Sequence, residues 1–258
     1  MNEPGAGTFA QLLKSKVANG SISSDDSVLV QFAGSYDETV CAAAGLVNCH
    51  FANIAPGSVS TGDTVARRFD AHRMPHRDES FDHVIAHSGL HHCSRPQEAL
   101  YEMYRLARKS VVFVENQDSP LMRAGERSGL IFRYELPAVV GADYVSGGVD
   151  GSAIPNFVYR WTRRELHKTV ASFDPAFSIP IDVYTEWNLG LNRASSAKVR
   201  KVLKLRSDDH AETLLIATQK LLNILARKQG NIFAATIRKD LRVLHTWMQS
   251  PVSMRRPY

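Results

Sequence analysis

The chain is poor in several things, and each shortage excludes something. Cysteine occurs at Cys41, Cys49 and Cys93 only, an odd, sparse count without Cys-x-x-Cys spacing in 258 residues. That excludes a disulfide framework or a cysteine zinc site and fits a reducing compartment, with the cytoplasm as the expected location. No apolar run approaches the ~20 residues of a membrane span, so no stable membrane insertion is expected. The opening Met1-Asn2-Glu3-Pro4-Gly5 lacks the basic-then-apolar order of a signal peptide. Charge is nearly balanced at +5, too mild to predict a nucleic-acid partner. Glycine is scarce where a nucleotide site would want it. After Val28-Leu29-Val30-Gln31-Phe32 comes Ala33-Gly34-Ser35-Tyr36, with one glycine. The missing Gly-x-Gly-x-x-Gly set argues against a nicotinamide-dependent oxidoreductase.

What is present is ordinary for a globule: 44% apolar and 22% charged residues. The length suits one α/β domain with an insertion, or two small domains. Val28 to Phe32 reads as a strand buried on both faces. The Ser35–Glu38 spacing of a capping box opens a helix to about Ala44, closed by Gly45. Further strands are predicted at Asn48–Ile54, Val65–Phe69, His83–Ala86, Val111–Glu115, Ile181–Trp187 and Asn231–Ile237. Helices are predicted at Phe9–Val17, after the Ser94–Gln97 and Thr162–Glu165 boxes, and over the apolar Thr213–Ala226. Strand and helix alternate, which predicts a doubly wound, mostly parallel sheet with helices on both faces. Residues 117–161 break this order with glycine, proline and aromatics, the signature of a binding element or cap.

Ligands of such sheets bind at the carboxyl ends of the strands. That edge should carry Gly34, Asn53, Asp70 with Ala71, the polar loop from His87 to His92, and Glu115 with Asn116. Gly34 precedes a helix whose N-terminus offers free N–H groups and partial positive charge. Asn53 can both accept and donate a hydrogen bond. Histidine as a residue type titrates near neutrality and suits proton abstraction, which makes His87 and His91 candidates, although the His91-His92 pair is more readily read as loop packing. Adjacent histidines point apart and no acid has obvious ligand spacing, so no metal is expected. Tyr144, Tyr159 and Trp161 suit a small amphipathic ligand, or merely seal the insertion. The basic stretch from Arg193 to Arg206 is read as a solvated helix face, with phosphate or membrane-surface binding as the alternative.

The run Asp70-Ala71, then Pro75-x-x-Asp78-x-Ser80-Phe81-Asp82, then Leu90-His91-His92 resembles the class I methyltransferases that depend on S-adenosylmethionine (SAM). The resemblance covers about residues 26–116 and continues through 160–190 and the closing strand. It implies a Rossmann-like, seven-stranded sheet with the last strand antiparallel. It implies SAM as donor and S-adenosylhomocysteine (SAH) as product, with Gly34, Asn53, Asp70, Ala71 and His87 as cofactor contacts and Asp70 on the adenine amine. It also implies methyl transfer to a small-molecule acceptor, a hydroxyl of a sugar, glycolipid or secondary metabolite; the residues themselves then offer His91 or His87 as base and Glu115, Tyr144, Tyr159 and Trp161 as acceptor contacts. The expected organisation is a helix and linker over 1–24 and the methyltransferase-like domain over 25–258, with a cap insertion at about 117–161 and a basic, helical part at 193–228. A non-catalytic relative serving as binding module or partner subunit is the alternative.

Overall fold

A computed structural model describes residues 5–54, 60–61, 64–65, 67–190, 196–197, 200–201, 204 and 206–248. Its strands are β1 (Val28–Gln31), β2 (Cys49–Asn53), β3 (Ser60–Thr61), β4 (Thr64–Val65), β5 (Arg67–Arg68), β6 (Phe81–His87), β7 (Ala107–Gln117), β8 (Arg160–Trp161), β9 (Ile181–Glu186) and β10 (Ile232–Arg238). The helices are α1 (Ala6–Ala18), α2 (Ser35–Ala43), α3 (Pro96–Leu106), α4 (Pro120–Arg127), α5 (Leu136–Gly141), α6 (Arg163–Phe173) and α7 (Asp208–Leu225).

Seven strands pair in the order β5-β2-β1-β6-β7-β10-β9, with β8 attached to the end of β7. The pairs from β5 through β7 are parallel, and β10 runs antiparallel to both β7 and β9. This is the expected sheet. The central strands are apolar on both sides because each side faces a separate core. Leu29, Val84, Val111 and Phe113 point into one, with Leu100 and Met103 of α3 and Leu166 of α6. Val28, Val30, Ile85, Val112 and Val114 point into the other, with Phe9 and Leu13 of α1 and Val40 and Cys41 of α2. The period of two thus distributes one apolar run over two faces. The leading helix is part of this second core: Phe9 and Leu13 are fully buried.

The local signals hold with shifts. Gly45 closes α2 at φ 82°. The α2 cap is Gly34 rather than Ser35: the Gly34 N–H donates to Asp37 Oδ2 at 2.8 Å. Pro96 opens α3, but Arg95 occupies the cap, and the Ser94 N–H donates instead to Asp150 Oδ1 of the insertion at 2.9 Å. Thr162 caps α6 as expected, accepting from the Glu165 N–H at 3.0 Å. The apolar C-terminal helix differs most. α7 buries only Ala211 and leaves Leu221, Ile224 and Leu225 exposed. Arg200, Lys201, Lys204 and Arg206 of the basic stretch are exposed, whereas Arg193 and Lys198 lie outside the described residues.

The amino ends of β1, β6 and β7 are clamped by charge. Asp26 accepts from Lys109 Nζ at 2.6 Å and pairs with His83 Nε2 at 3.0 Å, while His83 Nδ1 meets Ser110 Oγ at 2.7 Å. Burial alone would raise the Asp26 carboxyl. The bonds from Lys109, the Ser23 N–H and His83 override it and hold the group at about 2, against an ordinary 3.8. A depressed carboxyl contributes stability that is complete above its unfolded value and is lost as pH falls through the folded one. Urea unfolding of the wild type should therefore lose about 2 kcal/mol from this group between roughly pH 4 and pH 2. Asp26→Asn should flatten that part of the curve, and an unchanged acid slope would remove Asp26 from the linkage.

Candidate functional site

Among the described residues, three clefts open at the carboxyl edge of β1, β2, β5 and β6. The inner one, about 400 Å³, is lined by Gln31, Asn53, Phe69, Asp70, Ala71 and His92 among others. The outer one, about 1300 Å³, is lined by Gly34, Asp37, Asn53, His87, Ser88 and Glu135 among others. The two share Phe32, Asn53, Ile54, His92 and Gly151. A third, about 760 Å³, holds Asn116, Phe132, Tyr134 and Pro137 and joins the outer cleft at Ser88, His92 and Glu135. Strand ends supply the floor and the insertion supplies the roof. Gly148 fits only as glycine, because a Cβ there would stand 1.8 Å from the Ile154 carbonyl oxygen. This lets the 147–151 loop fold down over Ile54.

The structure brings together every residue expected at the cofactor rim. Asp70 follows β5, accepts from the His72 N–H at 2.9 Å and pairs with His72 Nδ1 at 2.7 Å. Its side chain stays about half exposed to the cleft. Burial would raise its carboxyl, but the His72 bonds bring it below the ordinary range. Asn53 donates through Nδ2 to the Ala33 carbonyl at 2.9 Å. His87 is buried, stacked on Phe9 at 4.9 Å, with Nδ1 3.4 Å from Asp37 Oδ1. At the α2 N-terminus the Asp37 carboxylate takes the Gly34 N–H at 2.8 Å.

His91 is not the free base that the sequence suggested. Its Nδ1 lies 2.6 Å from Glu115 Oε2 and its Nε2 3.2 Å from Glu135 Oε2. Burial favours the neutral ring, but the two carboxylates outweigh it and push His91 up to about 10. A ring already charged at neutral pH accepts no proton. Burial would likewise raise Glu135, yet His91 holds it at about 2. His92 is pushed down by burial and by the His91 cation.

The four expected acceptor contacts lie elsewhere. Glu115 is 2% exposed and lies beneath the loop, where Oε1 accepts the Leu90 N–H at 2.7 Å. Trp161 is fully buried against Phe113 in the core. Tyr159 packs on Trp161, and its hydroxyl bonds to Glu165 and Gln97. Tyr144 is exposed and lines none of the three clefts. Asn116 and Tyr134 do reach the third cleft. Sequence reasoning missed Glu135, which no spacing ties to His91, and Gln31, whose polarity inside an apolar strand was the available signal.

Residues 40–114 match a family model described as a methyltransferase domain. No curated protein matches the chain. Among solved structures, the phosphoethanolamine N-methyltransferase 2 of Haemonchus contortus, in complex with SAM, superposes with TM-score 0.54 at 13% identity, over 92% of this chain and 53% of that one. The YcgJ protein of Bacillus subtilis superposes with TM-score 0.52 at 12% identity, over 88% and 98%. A chain of the complex between the Haloferax volcanii Trm112 methyltransferase activator and a methyltransferase gives TM-score 0.51 at 12% identity, over 90% and 94%. The fold is that of the class I, SAM-dependent methyltransferases.

The rim of this methyltransferase fold suits a polar, cationic ligand such as SAM. Gln31 is buried at the inner cleft, and neither of its amide atoms has a hydrogen-bond partner among the described residues. Such orphaned groups are costly unless a ligand or water satisfies them. Asp70 beside Ala71 offers an acceptor and a backbone donor at one point, and the outer cleft carries Asp37 and Glu135 for positive charge. Phe32 stands at φ 59°, a conformation unfavourable for a bulky side chain. Its ring lies against Gly89, where an added Cβ would be 2.1 Å from the ring. Ser88, at φ 49°, is likewise left-handed; such strain clusters at functional sites.

The burial of Glu115 predicts a stability effect. Glu115→Ala should cost about 3–5 kcal/mol in urea unfolding, because it strands a buried imidazolium and the Leu90 N–H. Glu115→Gln, which keeps an acceptor for Leu90, should cost less. Unchanged stability with a raised acceptor KM would restore Glu115 to the acceptor site.

Proposed function

We propose that the protein is an active SAM-dependent methyltransferase with a small-molecule acceptor, the methylated group being a hydroxyl. The observation that carries this reading is the continuity of the three clefts, from Asp70 through Asn53 and His92 to Tyr134. A donor laid along the first two would present its reactive end beside the third. Bound there, SAM would supply an electrophilic methyl group to an acceptor oxygen, the electron pair of the broken carbon–sulfur bond being left on sulfur and the hydroxyl proton released to water.

The chain's own part is placement. Asp70 and the Ala71 N–H hold the adenine edge, and Asn53 and the orphaned Gln31 amide face the adjoining polar groups. Asp37 and His87 line the outer cleft where the methionine part belongs. Phe132, Tyr134, Pro137 and Asn116 give the third cleft an apolar wall with polar points, suited to a compact amphipathic acceptor. Alignment of two bound reactants is worth up to about 7–11 kcal/mol of barrier, so a site that mainly positions is sufficient. The turn after β1, where Phe32 at φ 59° lines both clefts in place of a glycine, favours the second reading, a relative that keeps the fold without catalysis.

Calorimetry separates the two. SAM and SAH should bind the wild type, and Asp70→Ala should weaken both by about tenfold, the loss of one charge-assisted hydrogen bond. Absence of binding at millimolar ligand would leave the non-catalytic reading, and full affinity in Asp70→Ala would remove that carboxylate from the cofactor site.

A further inference from the structure

We propose that His91, His92 and Glu135 bind one divalent transition-metal ion at the junction of the outer and third clefts. The Nε2 atoms of His91 and His92 lie 3.2 and 3.4 Å from the same oxygen, Glu135 Oε2. All three candidate ligand atoms fall within 4.8 Å of one another. A tetrahedral ion with ligands at about 2.0–2.1 Å sets its ligand atoms about 3.3 Å apart. The two short edges already have that length.

The surroundings are those of a metal ligand set. The far nitrogen of His91, Nδ1, is held at 2.6 Å by the buried Glu115. This carboxylate fixes the tautomer with hydrogen on Nδ1 and turns the lone pair of Nε2 toward Glu135, the outer-sphere arrangement of metal-bound histidines. A lone pair aimed at a carboxylate oxygen needs a cation between them, and a proton or a metal ion meets that need. Asn156, itself buried, donates through Nδ2 to the His91 carbonyl at 3.1 Å and reaches Glu135 Oε2 at 3.4 Å, so loop and insertion are braced together.

Two imidazoles and one carboxylate suit zinc, iron(II), cobalt or manganese better than calcium or magnesium, which prefer oxygen. Three protein ligands beside a cleft leave a position open, as in catalytic rather than structural sites. Ser88, Asn116 and Tyr134 surround that opening. Its use would be to hold the acceptor hydroxyl and lower its pKa. This role rests on the methyl-transfer reading, but the ion site does not.

The test uses the full chain, stripped with chelator and titrated with cobalt(II) while visible ligand-field absorption is followed. One equivalent should bind, with four-coordinate bands, and zinc should displace it. His92→Ala, a partly exposed position where truncation leaves the core intact, should weaken cobalt binding at least about tenfold, and Glu115→Gln by about 10–100-fold. No saturable one-to-one binding at millimolar cobalt, or equal affinity in wild type and His92→Ala, would overturn the proposal. SAM calorimetry on the same stripped protein keeps the two ideas apart. SAM binding without cobalt binding overturns the ion site alone, whereas cobalt binding without SAM binding overturns the methyl-transfer reading alone.

Discussion

The buried carboxylate of Glu115 is the constraint on which the site depends. An ion removed from water costs several kcal/mol unless good partners surround it. Glu115 sits on β7, opposite Phe233 of β10, with essentially no exposure. The partners available are the Leu90 N–H and the His91 ring, and both are engaged at short distance. The turn from Leu90 to His92 is therefore pinned to the sheet. His91 in turn holds Glu135, which belongs to the insertion. A line of charge runs from the core through the loop to the roof of the clefts, so the roof's position follows from a residue that touches no cleft.

Much of this arrangement was legible in the chain, for physical reasons. The strands were readable because a parallel strand covered on both faces is a short apolar run, and those runs alternate with helix caps. The shared edge was readable because strand ends of such a sheet fall on one side, so Gly34, Asn53, Asp70 and His87 converge without any knowledge of their partners. Polar and aromatic residues beyond β6 were harder. Glu115 ends an apolar strand, as a ligand-facing acid would, and only packing reveals that it turns inward. Trp161 and Tyr159 lie in a segment with no period, where nothing in the sequence tells an aromatic that seals the core from one that meets a ligand. Glu135 reaches His91 across 44 positions of irregular chain, beyond any spacing rule. α7 misled in the opposite direction: its apolar residues are exposed, and composition alone does not say which surface covers them.

The glycine-poor turn after β1 has a structural answer. A tight turn there needs a left-handed residue, and Phe32 takes that conformation itself. Its ring must then go somewhere, and it occupies the space that a side chain at position 89 would need. Gly89 thus stands in for a glycine missing from the turn: the permissive residue lies on the loop facing Phe32 instead. Phe32 and Gly89 are one packing unit, and neither is interpretable alone. The consequence is an apolar ring in the wall shared by the inner and outer clefts, in place of bare backbone.

Glu115 and Glu135 flanked by one protonated His91 leave the junction with net charge −1. That sign suits a donor that arrives with a sulfonium and an ammonium group and leaves with its sulfur neutral, because attraction is stronger for donor than for product. If a divalent ion replaces the proton on His91, the two carboxylates balance it and the junction becomes neutral. The ion then opposes the sulfonium less than a bare dication would, while still drawing electron density from an acceptor oxygen. Two carboxylates, where one would suffice to orient a histidine, would let a cation of either kind reside beside a cationic donor.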